Sequence, residues 1–489
     1  MIKNQGLPPY QTIRISTLLC FFLAAGWSAF AHEKAVILGR VSGLVEDSVM
    51  VAIQPNSLDP QEEQFKAAVN EQGRFRLDIP LTKATVAELV YGEEAATLYL
   101  VPGEPLSLSF KGNKMLSTIS FTGKTAGENT YLAKFEKKFV EDEAYQVLPD
   151  VIFYKEAEFT VFLDERKENM LGFLGKYANK YSFSPEFKAY ALAEIEYSWA
   201  NDKLTYADLR EHIVNGQPRL NLSPSYYDFV KEVDLNDPGA LSNPTYTIFL
   251  KNYFQFQASL GYHRKTDRDY YRINYDAAKR VLQGDVRSHV LGQILVESFR
   301  YGHIRYSEEM LADYRKLHPK KEYLAYLEGA LAANRKIALG SPASNFTFTT
   351  AEGDTVQLSD FKGKLVYLNF WTTTCGPCLM DLSFAQHLAD KLDGKPIVFV
   401  HIGMDEDKQL WQKMVTAKTL SGIQVYANDD KEEIITNYRL EDLPAYFLLD
   451  EEGSFLSVKP KRPSSNEAAR ELMQAFEQKP GFGAVRPRR

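Results

Sequence analysis

Two cysteines, Cys375 and Cys378, stand one helical turn apart with Gly376 and Pro377 between them. A cysteine in the first turn of a helix faces free backbone amides and the positive end of the helix dipole, and both favour thiolate over thiol. In such settings thiol pKa values fall to ~3.5–7.5. A second cysteine one turn on shares the same face and lies within reach of an intramolecular disulfide. The spacing therefore predicts thiol–disulfide exchange, with Cys375 attacking and Cys378 resolving the mixed disulfide. Pro377 suits an early helix position, where a missing N–H costs little. Gly376 leaves the approach to Cys375 open. Two other readings exist, a buried inert dithiol and half of a zinc site. The second lacks a further Cys or His pair to complete four ligands. No metal is expected, and no cofactor beyond the redox-active disulfide.

Positioning this pair needs a strand that ends just before it and a helix that starts on it. Residues 365–370 form a continuous apolar run that reads as a buried strand, and a helix is expected from 375 to about 392. Further strands are expected at 396–402, 446–450 and 455–458, the last two joined by a Glu452-Gly453 turn. Helices are expected at 407–420 and 464–476. Such alternation predicts a central sheet with helices on both faces. The segment begins near Gly340-Ser341-Pro342.

Leu358-Ser359-Asp360-Phe361-Lys362-Gly363-Lys364, then Asn369-Phe370-Trp371, then Cys375-Gly376-Pro377-Cys378, and finally Leu443-Pro444-Ala445-Tyr446-Phe447-Leu448-Leu449-Asp450 with Glu452-Gly453 occur in that order. In this combination the segment resembles the thioredoxin superfamily, specifically the exported TlpA/ResA-like thiol-disulfide oxidoreductases. The resemblance implies a thioredoxin-fold α/β domain at 337–480. It also implies a cis Leu443–Pro444 bond set against the cysteines, with the backbone of Leu443 offered to a substrate strand. Relatives often carry Glu where Asp381 stands, and that Glu helps move the resolving cysteine's proton. Asp is shorter by one methylene, and a solvated carboxylate on the first helix is the alternative. Asn369 occupies the place of the buried acid of cytoplasmic thioredoxins. A neutral amide cannot act as a base, so proton transfer is expected through Asp381 or water. Trp371 is retained. Thr374, however, stands where relatives usually have Trp beside the cysteine, which predicts a more open Cys375 and a different choice of partner. Thr372 and Cys375 are also faintly similar to a peroxiredoxin motif, but Leu368 replaces the proline that motif needs. His401 follows a buried strand and reads as a core histidine.

A chain of 489 residues rarely folds around one core. The expected class is multidomain α+β. A β-sandwich-like N-terminal domain is expected at 32–125, a helical region at 126–336, the thioredoxin-like domain at 337–480 and a flexible tail at 481–489. Residues 33–125 show short alternating runs with turn signals, as at 73–79 and around Pro102-Gly103. They loosely resemble the β-rich domains that precede thioredoxin domains in Bacteroidetes exported proteins. From 126 to 335 apolar residues fall at helical spacing, with start signals at Ser184-Pro185, Ser223-Pro224, Asn243-Pro244 and Ser307-Glu308-Glu309. Tyrosine is dense here. Inter-helix packing with surface hydroxyls is expected, and a groove for extended polypeptide is the alternative.

Lys3 and Arg14 precede an apolar stretch over 15–30 that ends in Ala29-Phe30-Ala31, an A-x-A cleavage pattern. A signal peptide at 1–31 is expected. The stretch is short of the ~20 residues of a spanning helix, so an uncleaved membrane anchor is the lesser alternative. Cys20 would leave with the signal. An exported chain whose sole remaining cysteines close so short a loop gains little stability from them, which points again to chemistry. The formal charge of −7, without a long basic run, argues against nucleic-acid binding. The expected location is the periplasm or cell envelope, and the expected partners are protein disulfides and, for a reductase, a membrane thiol electron donor. The Gly-Pro dipeptide matches reducing thioredoxins, so reduction is the expected direction. An oxidase or isomerase of the same fold is one alternative. A partner-binding adaptor in which redox activity is secondary is another.

Overall fold

The computed structural model describes residues 34–213, 220–261, 269–418, 420–427 and 430–477. The expected signal peptide at 1–31 and tail at 481–489 lie outside them.

Two four-stranded sheets come first. One has the order β4–β1–β7–β8, built from β1 (Lys34–Ser42), β4 (Arg74–Pro80), β7 (Leu106–Lys111) and β8 (Ser120–Gly123). The other has the order β3–β2–β5–β6, from β2 (Ser48–Ile53), β3 (Glu63–Ala68), β5 (Thr85–Tyr91) and β6 (Glu94–Leu100). β4 alternates buried and exposed residues strictly, as a strand with one face on a core must. Ile37, Leu77 and Leu108 of the first sheet and Val51, Leu89 and Leu98 of the second enter one apolar cluster. β1 pairs with β7 in parallel, a long-range pairing that local pattern does not encode.

Helices follow the short α1 (Met115–Thr118): α2 (Ala126–Phe135), α3 (Glu156–Lys180), α4 (Pro185–Ile213), α5 (Pro244–Leu260), α6 (Tyr270–Val281), α7 (Gly284–Arg300), α8 (Ile304–Arg315) and α9 (Lys321–Asn334). Two of the four expected start signals cap helices. Ser184 Oγ accepts from the Phe187 N–H at 3.1 Å, and Asn243 Oδ1 accepts from the Thr245 N–H at 2.8 Å. The other two do not. Ser223-Pro224 precedes only a short 3-10 turn, Tyr226–Lys231. Ser307 lies inside α8, buried, and donates to the His303 carbonyl at 2.7 Å. Three of the tyrosine hydroxyls are not at the surface as expected. Tyr197, Tyr246 and Tyr314 are buried and donate to the carbonyls of Asp234, Leu235 and Ser288 at 2.8, 2.9 and 2.8 Å. Each ring fills the helical core while its hydroxyl is satisfied internally.

The sheets meet the helices at Tyr99 of β6, which packs with Tyr131 of α2 and Phe187 of α4, and again at the loop between β2 and β3. Leu58, between β2 and β3, enters the helical core and sits so close to Gly292 of α7 that a Cβ there would lie 2.6 Å from its Cδ1. Beside it Ser57 Oγ lies 3.2 Å from His289 Nδ1 and 3.1 Å from the Tyr323 hydroxyl.

The last part is a seven-stranded sheet of order β10–β9–β13–β12–β11–β14–β15. Its strands are β9 (Thr347–Thr350), β10 (Thr355–Gln357), β11 (Leu365–Trp371), β12 (Ile397–Gly403), β13 (Ile423–Tyr426), β14 (Ala445–Leu449) and β15 (Phe455–Ser457). β11, β12 and β13 run parallel, and β14 is antiparallel to β11. The helices are α10 (Gly376–Lys391), α11 (Lys408–Lys418), α12 (Lys431–Tyr438) and α13 (Ala468–Glu477). β11 is buried at every residue because both of its faces are covered. One face packs Leu368 and Phe370 against Tyr438 of α12. The other packs Tyr367 against Leu388 of α10 and Leu472 of α13.

Candidate active site

β11 delivers the chain to the dithiol through the turn Thr372-Thr373-Thr374. The carboxylate of Asp405, just beyond β12, pins that turn. Its Oδ1 accepts from the Thr373 N–H at 2.8 Å and from the Thr373 hydroxyl at 2.5 Å. Helix α10 then starts on the cysteines. Cys375 is its N-cap, and its Sγ accepts from the Cys378 N–H at 3.2 Å, so sulfur takes the place of the usual capping oxygen. Gly376 and Pro377 occupy the first two helical positions and are exposed. Pro377 has no N–H to leave unsatisfied at this free end.

The two sulfurs form a disulfide, with Cα atoms 5.2 Å apart. Cys375 is partly exposed and Cys378 fully buried. Cys375 Sγ lies 3.6 Å from the Leu443 carbonyl oxygen, and the Leu443–Pro444 bond is cis. The loop ahead of β14 is thus laid against the exposed sulfur.

Trp371 is buried without exposed surface and packs with Cys378, Leu382 and Trp411 behind the disulfide. Gly403 admits Trp411 to this layer: a Cβ there would lie 2.3 Å from the Trp411 Nε1.

Asp381 is not a solvated carboxylate, the alternative left open by sequence. It is fully buried. Helix periodicity turns it to the same face as Cys378, under the helix and not out from it. Its Oδ2 accepts from Arg462 Nε at 2.6 Å and from the Tyr446 hydroxyl at 3.2 Å, while its Oδ1 has no partner among the described residues. Burial, and then the adjacent Asp381 carboxylate, push the Tyr446 hydroxyl above its ordinary pKa, so it stays a donor. Tyr446 in turn stacks on Tyr367, ring centroids 5.4 Å apart.

Asn369 lies on the same sheet face, beside Tyr446 and His401 in register. Its amide is 3.1 Å from His401 Nδ1. Both residues are fully buried. Burial pushes His401 down to about 4, so the ring is neutral and accepts the amide N–H at Nδ1.

Tyr446, Arg462 and Asp405 were missed from sequence. Arg462 lies in the basic run Lys459-Pro460-Lys461-Arg462, which was the one available signal. Among the described residues no group of His, Cys, Asp and Glu is arranged to hold a metal ion. None of the helices there is long and apolar enough to cross a membrane.

The Redoxin family model matches residues 338–471. The thiol-disulfide oxidoreductase ResA of Bacillus cereus is 33% identical over 129 residues, which cover 26% of this chain and 73% of that protein. The chain belongs to the ResA-like thiol-disulfide oxidoreductases. ResA of Bacillus subtilis is likewise 33% identical over 129 residues, 70% of its length. A crystal structure of the thioredoxin domain of a thiol-disulfide oxidoreductase from Bacteroides vulgatus is 25% identical, covering 28% of this chain and 96% of that one with a TM-score of 0.27. This ResA-like protein is an enzyme of the thioredoxin superfamily that exchanges thiols and disulfides. In it, the Redoxin match begins at residue 338, after the two four-stranded sheets and helices α1–α9.

Proposed function

We propose that the protein is an exported protein-disulfide reductase working through Cys375 and Cys378. The observation that carries this reading is the asymmetry of the pair. One sulfur is partly exposed, at a helix N-terminus, with a backbone N–H aimed at it from 3.2 Å. The other is fully buried. Cys375 thiolate attacks a substrate disulfide, forms a mixed disulfide and expels the first substrate thiolate. Cys378 loses its proton to Asp381 and attacks Cys375 Sγ. The Cys375–Cys378 disulfide forms, and the second substrate thiolate leaves and is protonated. Leu443 and Pro444 dock the substrate strand. Gly376, Pro377, Trp371 and Asn369 hold the geometry. No cofactor other than this disulfide takes part.

Two electrons must then return from a dithiol donor. For a protein in the periplasm or cell envelope, that donor is a membrane thiol protein. In this reading residues 32–125 form a β-sandwich-like domain, 126–336 a helical domain and 337–480 the thioredoxin-like domain. Export rests on the signal pattern at 1–31.

The test is trapping with Cys378→Ala, which holds substrates on Cys375 as mixed disulfides. Recovery of no specific client when the donor is supplied defeats the proposal. A measured potential near −270 mV supports reduction, and one above about −150 mV, toward the −120 mV of DsbA, makes the enzyme an oxidase or isomerase. Full biological function in Cys375→Ser would turn the reading toward an adaptor.

A further inference from the structure

A cavity of about 290 Å³ lies where the helical part meets the seven-stranded sheet. Arg300, at the end of α7, reaches it from the helical side. Arg439, Lys459 and Arg462 reach it from the sheet side, and Glu441 and Asp442 share the lining. Pro444 and Ala445 form part of its wall. They directly follow Leu443, whose carbonyl lies 3.6 Å from Cys375 Sγ.

The cations here are poorly matched. Glu441 serves both Arg300 and Arg439, at 3.7 and 3.4 Å. The Nε of Arg439 is buried and has no hydrogen-bond partner among the described residues. Lys459 makes no ion pair among them, and its Nζ lies 5.7 Å from the Tyr301 ring centroid. Burial, against the pull of Glu441, moves the Lys459 ammonium below its ordinary pKa. Arg462 spends its Nε on Asp381. With Arg462 held by Asp381, three cationic groups, Arg300, Arg439 and Lys459, share the lining with Glu441 and Asp442, and the Nε of Arg439 keeps a donor that lacks an acceptor. A buried donor without an acceptor calls for a ligand that supplies one.

We propose that this cavity is a substrate subsite that takes an acidic side chain of the polypeptide whose disulfide is reduced. The inference rests on the dithiol reading given under Proposed function. A strand laid along Leu443 and Pro444 continues past the cavity mouth, and side chains next to the substrate cysteine are carried toward Lys459 and Arg300. A carboxylate accepts from such donors through charge-assisted hydrogen bonds. The volume admits a Glu or Asp side chain with room for water. The helical part then acts directly on substrate choice, through Arg300.

The experiment uses the full mature chain and disulfide-linked peptides that carry Glu or Gln at each of four positions on either side of the cysteine. The wild type is expected to favour Glu over Gln at one or two positions by about 10-fold in kcat/KM, the value of one charge-assisted hydrogen bond. That ratio should fall below about 2-fold in Lys459→Met and in Arg300→Met, and in the wild type as salt is raised. The ratio is read within each variant, so a general loss of folded enzyme cancels. Equal rates on Glu and Gln peptides at every position overturn the subsite, as does a preference that survives both substitutions. Uncharged 2-hydroxyethyl disulfide reads the dithiol alone. If the wild type fails to reduce it, the dithiol reading falls and takes the subsite with it.

Discussion

Arg462 Nε donates to Asp381 Oδ2 across 2.6 Å, joining a guanidinium that is 43% exposed to a carboxylate that is not exposed at all. The pair therefore spans the wall between solvent and the layer that holds Cys378. A carboxylate buried in that layer needs hydrogen-bond donors. Arg462 and Tyr446 both donate to Oδ2, and Oδ1 has no partner among the described residues; in the proposed mechanism it is the oxygen that receives the Cys378 proton.

Asp381→Asn should therefore slow resolution of the mixed disulfide by about 100-fold, the scale of a lost general base. Alkylation of Cys375 should be nearly unchanged. Rapid-quench measurement with a trapped peptide separates the two steps. An unaltered resolution rate would remove Asp381 from the mechanism.

Arg462→Gln should do two things together. Resolution should slow as Asp381 loses its ionic partner. Stability should fall by about 1–2 kcal/mol, a charged hydrogen bond discounted for the solvent that already screens the exposed arginine. Arg462→Lys should restore part of the rate. Equal resolution rates for wild type and Arg462→Gln would reduce the contact to packing.

Gly403→Ala should lower the denaturation midpoint of the C-terminal part, at a cost of about 1–3 kcal/mol for an overpacked site. The added methyl meets Trp411, which is fully buried and has no alternative space. Urea unfolding followed by tryptophan fluorescence checks this.

His289 and His401 give a pH dependence with a definite sign. Burial pushes each down to about 4. The unfolded chain protonates them near 6.5, before the native state can, so stability is lost as pH falls from about 6.5 to about 4. Between pH 7 and 5 each histidine should cost on the order of 2 kcal/mol. Comparing denaturation midpoints at the two pH values, with His289→Gln as the partial control, measures it. Equal midpoints would contradict the burial of these rings.

Leu58→Ala should loosen the joint between the β2–β3 loop and α7. A core leucine removed against a rigid helix costs about 2–4 kcal/mol. Limited proteolysis should show faster cutting around the β2–β3 loop. Unchanged protection would mean that Ser57, bonded to His289 and Tyr323, holds the loop without it.

The parts of the fold that were legible from sequence are those that local rules write. The apolar run at 365–370 is a strand because both of its faces are buried. The helix begins on Cys375 because Gly376 and Pro377 suit its first turn. Ser307 was misread because a buried serine donating back to its own helix carries the same letters as a cap. The parallel pairing of β1 with β7 and the contact of Asp381 with Arg462 depend on chain segments far apart in sequence, and no periodicity records them. The cysteine motif could thus be read at once. What surrounds it, from Asp405 under the threonine turn to Tyr446 beneath α10, exists only after folding.

Cys375 is also the residue that caps α10. The sulfur that changes oxidation state in the proposed reaction is thus also the hydrogen-bond acceptor for the Cys378 amide. Each turnover therefore writes itself into the backbone one turn away. Hydrogen exchange at this single amide becomes an internal gauge of the redox state, readable without any substrate or dye.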